Sequence, residues 1–89
     1  MRLWISWSLD GVGSAGEDVD DLAAAVRAVG VSAERARRAF ESEVQWKTLK
    51  DSAERMKTRM LDDGRKALER GEEWSSAVEG VRVRLIPHE

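Results

Sequence analysis

Eighty-nine residues with a formal charge of −2 are enough for one domain, spanning 1–89, and too few for two separate cores. With no cysteine there are no disulfides, thiolate metal sites or cysteine nucleophiles. The single histidine, His88, leaves no basis for histidine acid–base chemistry or a multi-histidine metal centre.

The chain opens on Leu3, Ile5, Trp7 and Leu9 alternating with Trp4, Ser6 and Ser8, the period-two pattern of a strand with one buried face. Its serines and the following Asp10 also make the segment unlike a secretory signal core. No apolar run approaches the roughly 18 residues of a membrane span. The chain is therefore expected in the cytoplasm, with no membrane partner.

Asp10–Gly16 reads as a loop. Ser14 and Glu17 have capping-box spacing, and Asp18 with Asp21 offers a second helix start. Val19, Leu22, Val26 and Val29 fall on one helical stripe, so a short helix is predicted over about 17–29, with Gly30 placed as its stop.

Ser32 then caps a longer helical stretch, predicted over about 33–62. Trp46, Ala53, Met60, Ala67 and Trp74 recur every seven residues, and Leu49 with Met56 forms a second row beside them. Together they draw a coiled-coil-like seam. Glu34–Arg38, Glu43–Lys47, Asp51–Arg55 and Asp62–Lys66 each place an acid four residues before a base, as on an exposed helix face. Were this helix to run on to about residue 79 it would measure about 70 Å at 1.5 Å per residue, against a radius of gyration near 12 Å for a compact monomer of this size. Either it breaks or bends at Asp62-Asp63-Gly64, where an Asp-Gly pair signals a turn, or another chain covers the seam. Val81, Val83 and Leu85 then alternate with Arg82, Arg84 and Ile86, giving a C-terminal strand over about 81–86 that is predicted to pair with the first, over about 3–9. The fold class is α+β: a helical hairpin or small bundle under a two-stranded ribbon.

Gly11-Val12-Gly13-Ser14-Ala15-Gly16 fits the G-x-G-x-x-G dinucleotide pattern after a strand. However, no second parallel strand follows, and Glu17, Asp18, Asp20 and Asp21 would repel a pyrophosphate at the helix start. The acid pairs Asp20/Asp21, Asp62/Asp63 and Glu72/Glu73 point in different directions on a helix and do not frame a cleft of the kind glycosidase-type chemistry needs. No catalytic residue, cofactor or metal is therefore assigned.

Charge is segregated. Residues 1–22 carry one positive and five negative groups, while residues 33–70 carry eleven positive and eight negative. The basic residues are interleaved with acids, a weak footprint for nucleic acid, although Arg82 and Arg84 share one strand face as in ribbon readers of a groove. Trp4, alone among the four tryptophans, lies on the face opposite the apolar stripe and is a candidate contact anchor. The absence of Asn and Tyr beside abundant Ala, Arg and Val suggests coding in a GC-rich bacterium or its phage.

The order of short strand, loop, short helix and long Arg/Ala-rich helix over residues 3–60 is loosely similar to small phage tail-completion proteins, without the proline–threonine–glycine turn those proteins usually show after the helix. No site residue is carried over from that likeness. The function expected is that of a non-enzymatic interaction module, homo-oligomeric or bound to a larger protein through Trp4, Trp46, Leu49, Ala53, Met56, Met60, Ala67 and Trp74. The alternatives are a nucleic-acid-binding or antitoxin-like regulator contacting through Arg82 and Arg84, and a phage tail or virion accessory protein.

Overall fold

In the computed structural model, which describes residues 2–88, strand β1 (Leu3–Leu9) pairs antiparallel with β4 (Val81–Pro87), Ile5 facing Leu85 and Trp7 facing Val83. This is the ribbon expected from the two alternating segments. Met1 and Glu89, which the single-domain reading includes, lie outside the described residues.

The sheet has two further strands. β2 (Gly13–Val19) folds back along the free side of β1, and β3 (Trp74–Val78) along the free side of β4, giving the order β2-β1-β4-β3. The expected loop and first turn of helix over 10–19 are therefore a hairpin. Leu9 and Val12 close its turn through an N–H···O bond of 3.0 Å, and Gly11 supplies the positive φ of 78°. Residues 74–78 are a strand and not an extension of the helix. A two-residue turn, Glu79-Gly80 with Gly80 at φ 82°, returns β3 into β4. The Asp10 amide donates to the Gly80 carbonyl at 2.9 Å and ties the two hairpin turns together.

Helix α1 (Leu22–Arg35) begins beyond both predicted starts, Ser14 and Asp18 being in β2: Asp21 is its N-cap, its side chain accepting from the Ala24 amide at 2.8 Å. It does not stop at Gly30. A methyl group there would meet the flexible end of Lys57, so Gly30 lets the neighbouring helix lay that side chain across α1. A 3₁₀ turn (Ala36–Ala39) and Phe40–Ser42 separate the two helices, so the boundary expected at Gly30–Ser32 falls later in the chain, and Ser32 lies inside α1 instead of capping the second helix. Helix α2 (Glu43–Arg59), capped by Ser42, then continues through a π-helical turn (Met60–Gly64) into α3 (Arg65–Glu69). Asp62-Asp63-Gly64 bulges the helix without ending it, and Gly64 keeps ordinary helical dihedrals (φ −62°, ψ −45°). The path from Glu43 to Glu69 is about 40 Å long, matching the 42 Å long axis of the molecule.

The two helical stretches lie on one face of the sheet, α1 over β1 and α2 over β3 and β4. The core between the layers holds Leu3, Ile5, Leu9, Val81, Val83 and Leu85 from the sheet, Ala25, Val29 and Ala33 from α1, and Leu49, Ala53, Met56 and Met60 from α2 and the π turn. Of the four predicted helix-surface ion pairs two form, Asp51–Arg55 at 3.4 Å and Asp62–Lys66 at 3.2 Å. Glu34 instead reaches Lys50 across the helices at 2.9 Å, and Glu43 turns back to Arg37. No helix among the described residues is long and apolar enough to cross a membrane.

Candidate interaction surface

The seam expected to need another chain is covered by this one. Trp46, Leu49, Ala53, Met56, Met60 and Ala67 are all buried, Met56 and Met60 at 0 % exposure. Among the described residues four strands, two more than the expected ribbon, shelter the helix. These six residues belong to the core and are not available as an interface. Trp46 joins the two helices: its indole N–H donates to the Ala33 carbonyl at 3.0 Å, and Arg37 and Lys50 lie 4.9 and 5.1 Å from its ring centre. Trp74 is not on a helix at all. It sits on the inner face of β3, half-buried, with its ring against the close approach of Gly64.

The remaining predicted contacts, Trp4, Arg82 and Arg84, meet on the outer face of the sheet, which no helix covers. Strand register sets its rows. Asp18, Trp4 and Ile86 lie side by side, then Gly16, Ser6, Arg84 and Ser75, then Ser14, Ser8, Arg82 and Ala77. The Trp4 indole lies over Gly16, so close that a β-carbon there would stand 2.5 Å from its Cζ2. The glycine leaves a berth for the ring, which is half-buried by it. The small side chains of the other rows leave an open trough of about 700 Å³. Glu73 accepts two hydrogen bonds from Arg84, at 3.0 and 2.5 Å, while Arg82 forms no ion pair among the described residues.

A second surface escaped sequence reading because β2 itself did. Gly13–Asp18 is exposed throughout, and only Val19 is buried. The helical layer stops short of this strand, leaving even its inward-facing Ala15 and Glu17 uncovered. Between β2 and the end of α1 lies a cleft of about 600 Å³ with an apolar floor that includes Trp7, Leu9, Val12 and Ala36. Arg35 and Arg38 stand at its rim, and neither forms an ion pair among the described residues. In the sequence this surface leaves only the charge run Arg35, Arg37 and Arg38, which by itself does not mark the wall of a cleft.

Among the described residues no three His, Asp or Glu side chains gather as metal ligands. The glycine run of the dinucleotide pattern forms the β1–β2 turn and half of β2, so it does not open onto a helix N-terminus. No protein-family model, curated protein or solved structure matches the chain.

Proposed function

We propose that this chain is a non-enzymatic assembly module, bacterial or phage-encoded and acting in the cytoplasm, which associates with itself or with a larger protein through the β2 side of its sheet. One observation carries the reading: a seven-residue edge strand, paired only with β1 and exposed from Gly13 to Asp18, beside a cleft whose floor is apolar and whose rim is cationic. An exposed strand edge is a template for further pairing, and main-chain hydrogen bonds across it supply affinity without a deep pocket. If the chain is phage-encoded, the assembly takes the form of a virion or tail accessory component. Sedimentation equilibrium over a wide concentration range tests self-association. The expected result is an average mass that rises above that of one chain, and a mass that never rises would overturn it.

A second reading is supported by the outer face, where Arg82 and Arg84 flank a trough beside the Trp4 ring. Phosphates on the guanidinium groups and a base on the indole would suit a single nucleic-acid strand. Against it, Arg84 is already engaged by Glu73, and the chain is net negative. Salt-sensitive binding of a fluorescent oligonucleotide, weakened by Arg82→Ala, would favour this reading; no binding at low salt would remove it.

A further inference from the structure

We propose that the occupant of the β2 edge is a second copy of this chain, its β2 running antiparallel to the first about a two-fold axis through the sheet. The proposal rests on the assembly reading above and specifies its geometry. Charge decides the occupant. The Val19 end of β2 is acidic, with Glu17 and Asp18 on the strand and Asp20 and Asp21 just beyond it. The Gly13 end lies beside the terminus of α1, where Arg35 and Arg38 line the cleft with Gly13, Ser14 and Ala15. An antiparallel pair brings each acidic end to the other copy's basic end. A parallel pair would set like charges together.

The inner-face positions agree in detail. Pairing centred on Gly16 sets Ala15 of one copy opposite Glu17 of the other, both on the side of the sheet that carries the helices. Ala15 lines the cleft whose rim is Arg35 and Arg38, so each Glu17 carboxylate is delivered to the two guanidinium groups of its mate. Among the described residues Glu17 forms no ion pair within its own chain, and neither does Arg35 or Arg38. Ser14 meets Asp18 on the outer face. Gly16 meets Gly16 at the axis, where the lack of side chains leaves room for the two Trp4 rings that lie over them.

The devices that usually blunt an edge are scarce on β2. It has no proline, lysine or arginine, and its register with β1 runs unbroken over seven pairs with no bulge. Glu17 is its one inward-pointing charge, and the paired geometry neutralises it. The product is an eight-stranded sheet with both helical layers on the same side. Strand pairing with two charge clusters buries little area, so the association belongs with concentration-dependent interfaces below about 1,200 Å² and weakens as salt screens it.

The test is a charge swap read by sedimentation velocity, with circular dichroism confirming that each variant is folded. All three positions are exposed. Glu17→Arg alone and Arg35→Glu/Arg38→Glu together are each expected to weaken self-association by about tenfold or more, because each sets like charges across the axis. Mixing the two variants in equal amounts restores a dimer, since both contacts then join opposite charges. Two folded variants that stay monomeric alone and in the mixture would overturn the geometry. A dimer that ignores both changes would also overturn it, while leaving self-association through another surface intact. A wild-type chain that is monomeric at every concentration would overturn this proposal and self-association together.

Discussion

The two edges of the sheet differ in how they are finished. At β3 the helical layer reaches over the edge: Arg59 of α2 donates to the Ser76 hydroxyl at 3.1 Å and to the Ala77 carbonyl at 3.4 Å, and Arg55 approaches Glu79 at 3.7 Å. At β2 nothing comparable is present among the described residues, and the strand stands clear of the helices except at Val19. A long helical path of fixed direction can cover one side of a four-stranded sheet fully only by leaving the far side thin. The contrast locates stability at the β3–α2 side and availability at the β2 side.

The largest effects of substitution are expected on the covered side. Met56→Ala removes a fully buried side chain between α2 and the sheet and should cost about 2–5 kcal/mol in urea unfolding. Met56→Glu or Met60→Glu should abolish folding, since each would bury a lone carboxylate. Glu17→Ala, on the open side, should change monomer stability by no more than about 0.5 kcal/mol. If the two sides respond alike, the contrast is wrong. Trp46→Phe keeps most of the ring packing but leaves the Ala33 carbonyl without its donor, an expected loss of about 1–3 kcal/mol by the same measurement.

Arg59→Ala sharpens the comparison by making the β3 edge resemble β2. It should cost about 1 kcal/mol and speed amide exchange in Trp74–Val78 without altering Gly13–Val19. A small effect of opposite sign sits inside the core. The Ser52 hydroxyl is fully buried and has no hydrogen-bond partner. Ser52→Ala should therefore leave stability unchanged or raise it by about 1 kcal/mol, seen as a higher urea midpoint.

The elements that were legible in the sequence are those whose side chains alternate or recur against a single neighbour. β1 and β4 show clean period-two patterns because each is central, with one face on the core. The helical ridge from Trp46 to Met60 shows its spacing because it is buried along its whole length. β2 was illegible for the opposite reason: Gly13-Ser14-Ala15-Gly16-Glu17-Asp18 buries nothing until Val19, so no hydrophobic period marks it, and its glycines and acids mimic a loop and a helix cap. β3 was hidden because Trp74 and Val78 keep helical spacing with the seam before them, although they belong to a strand. Gly64 signalled a break that the π turn absorbs by bringing the helix against Trp74 and Leu85. Trp4, Arg82 and Arg84 could be placed on one face from alternation alone. The Arg35–Arg38 cleft could not, because its other wall is the strand that left no pattern.

Amide hydrogen exchange, followed strand by strand at low and at high protein concentration, tests the difference between the edges most directly. In β3 the protection should be the same at both concentrations. In β2 the alternate amides that point away from β1 should exchange freely in dilute solution and become protected as the concentration rises. Free exchange of those amides at every concentration, or a concentration-dependent gain at β3 instead, would contradict the assignment of β2 as the edge that pairs.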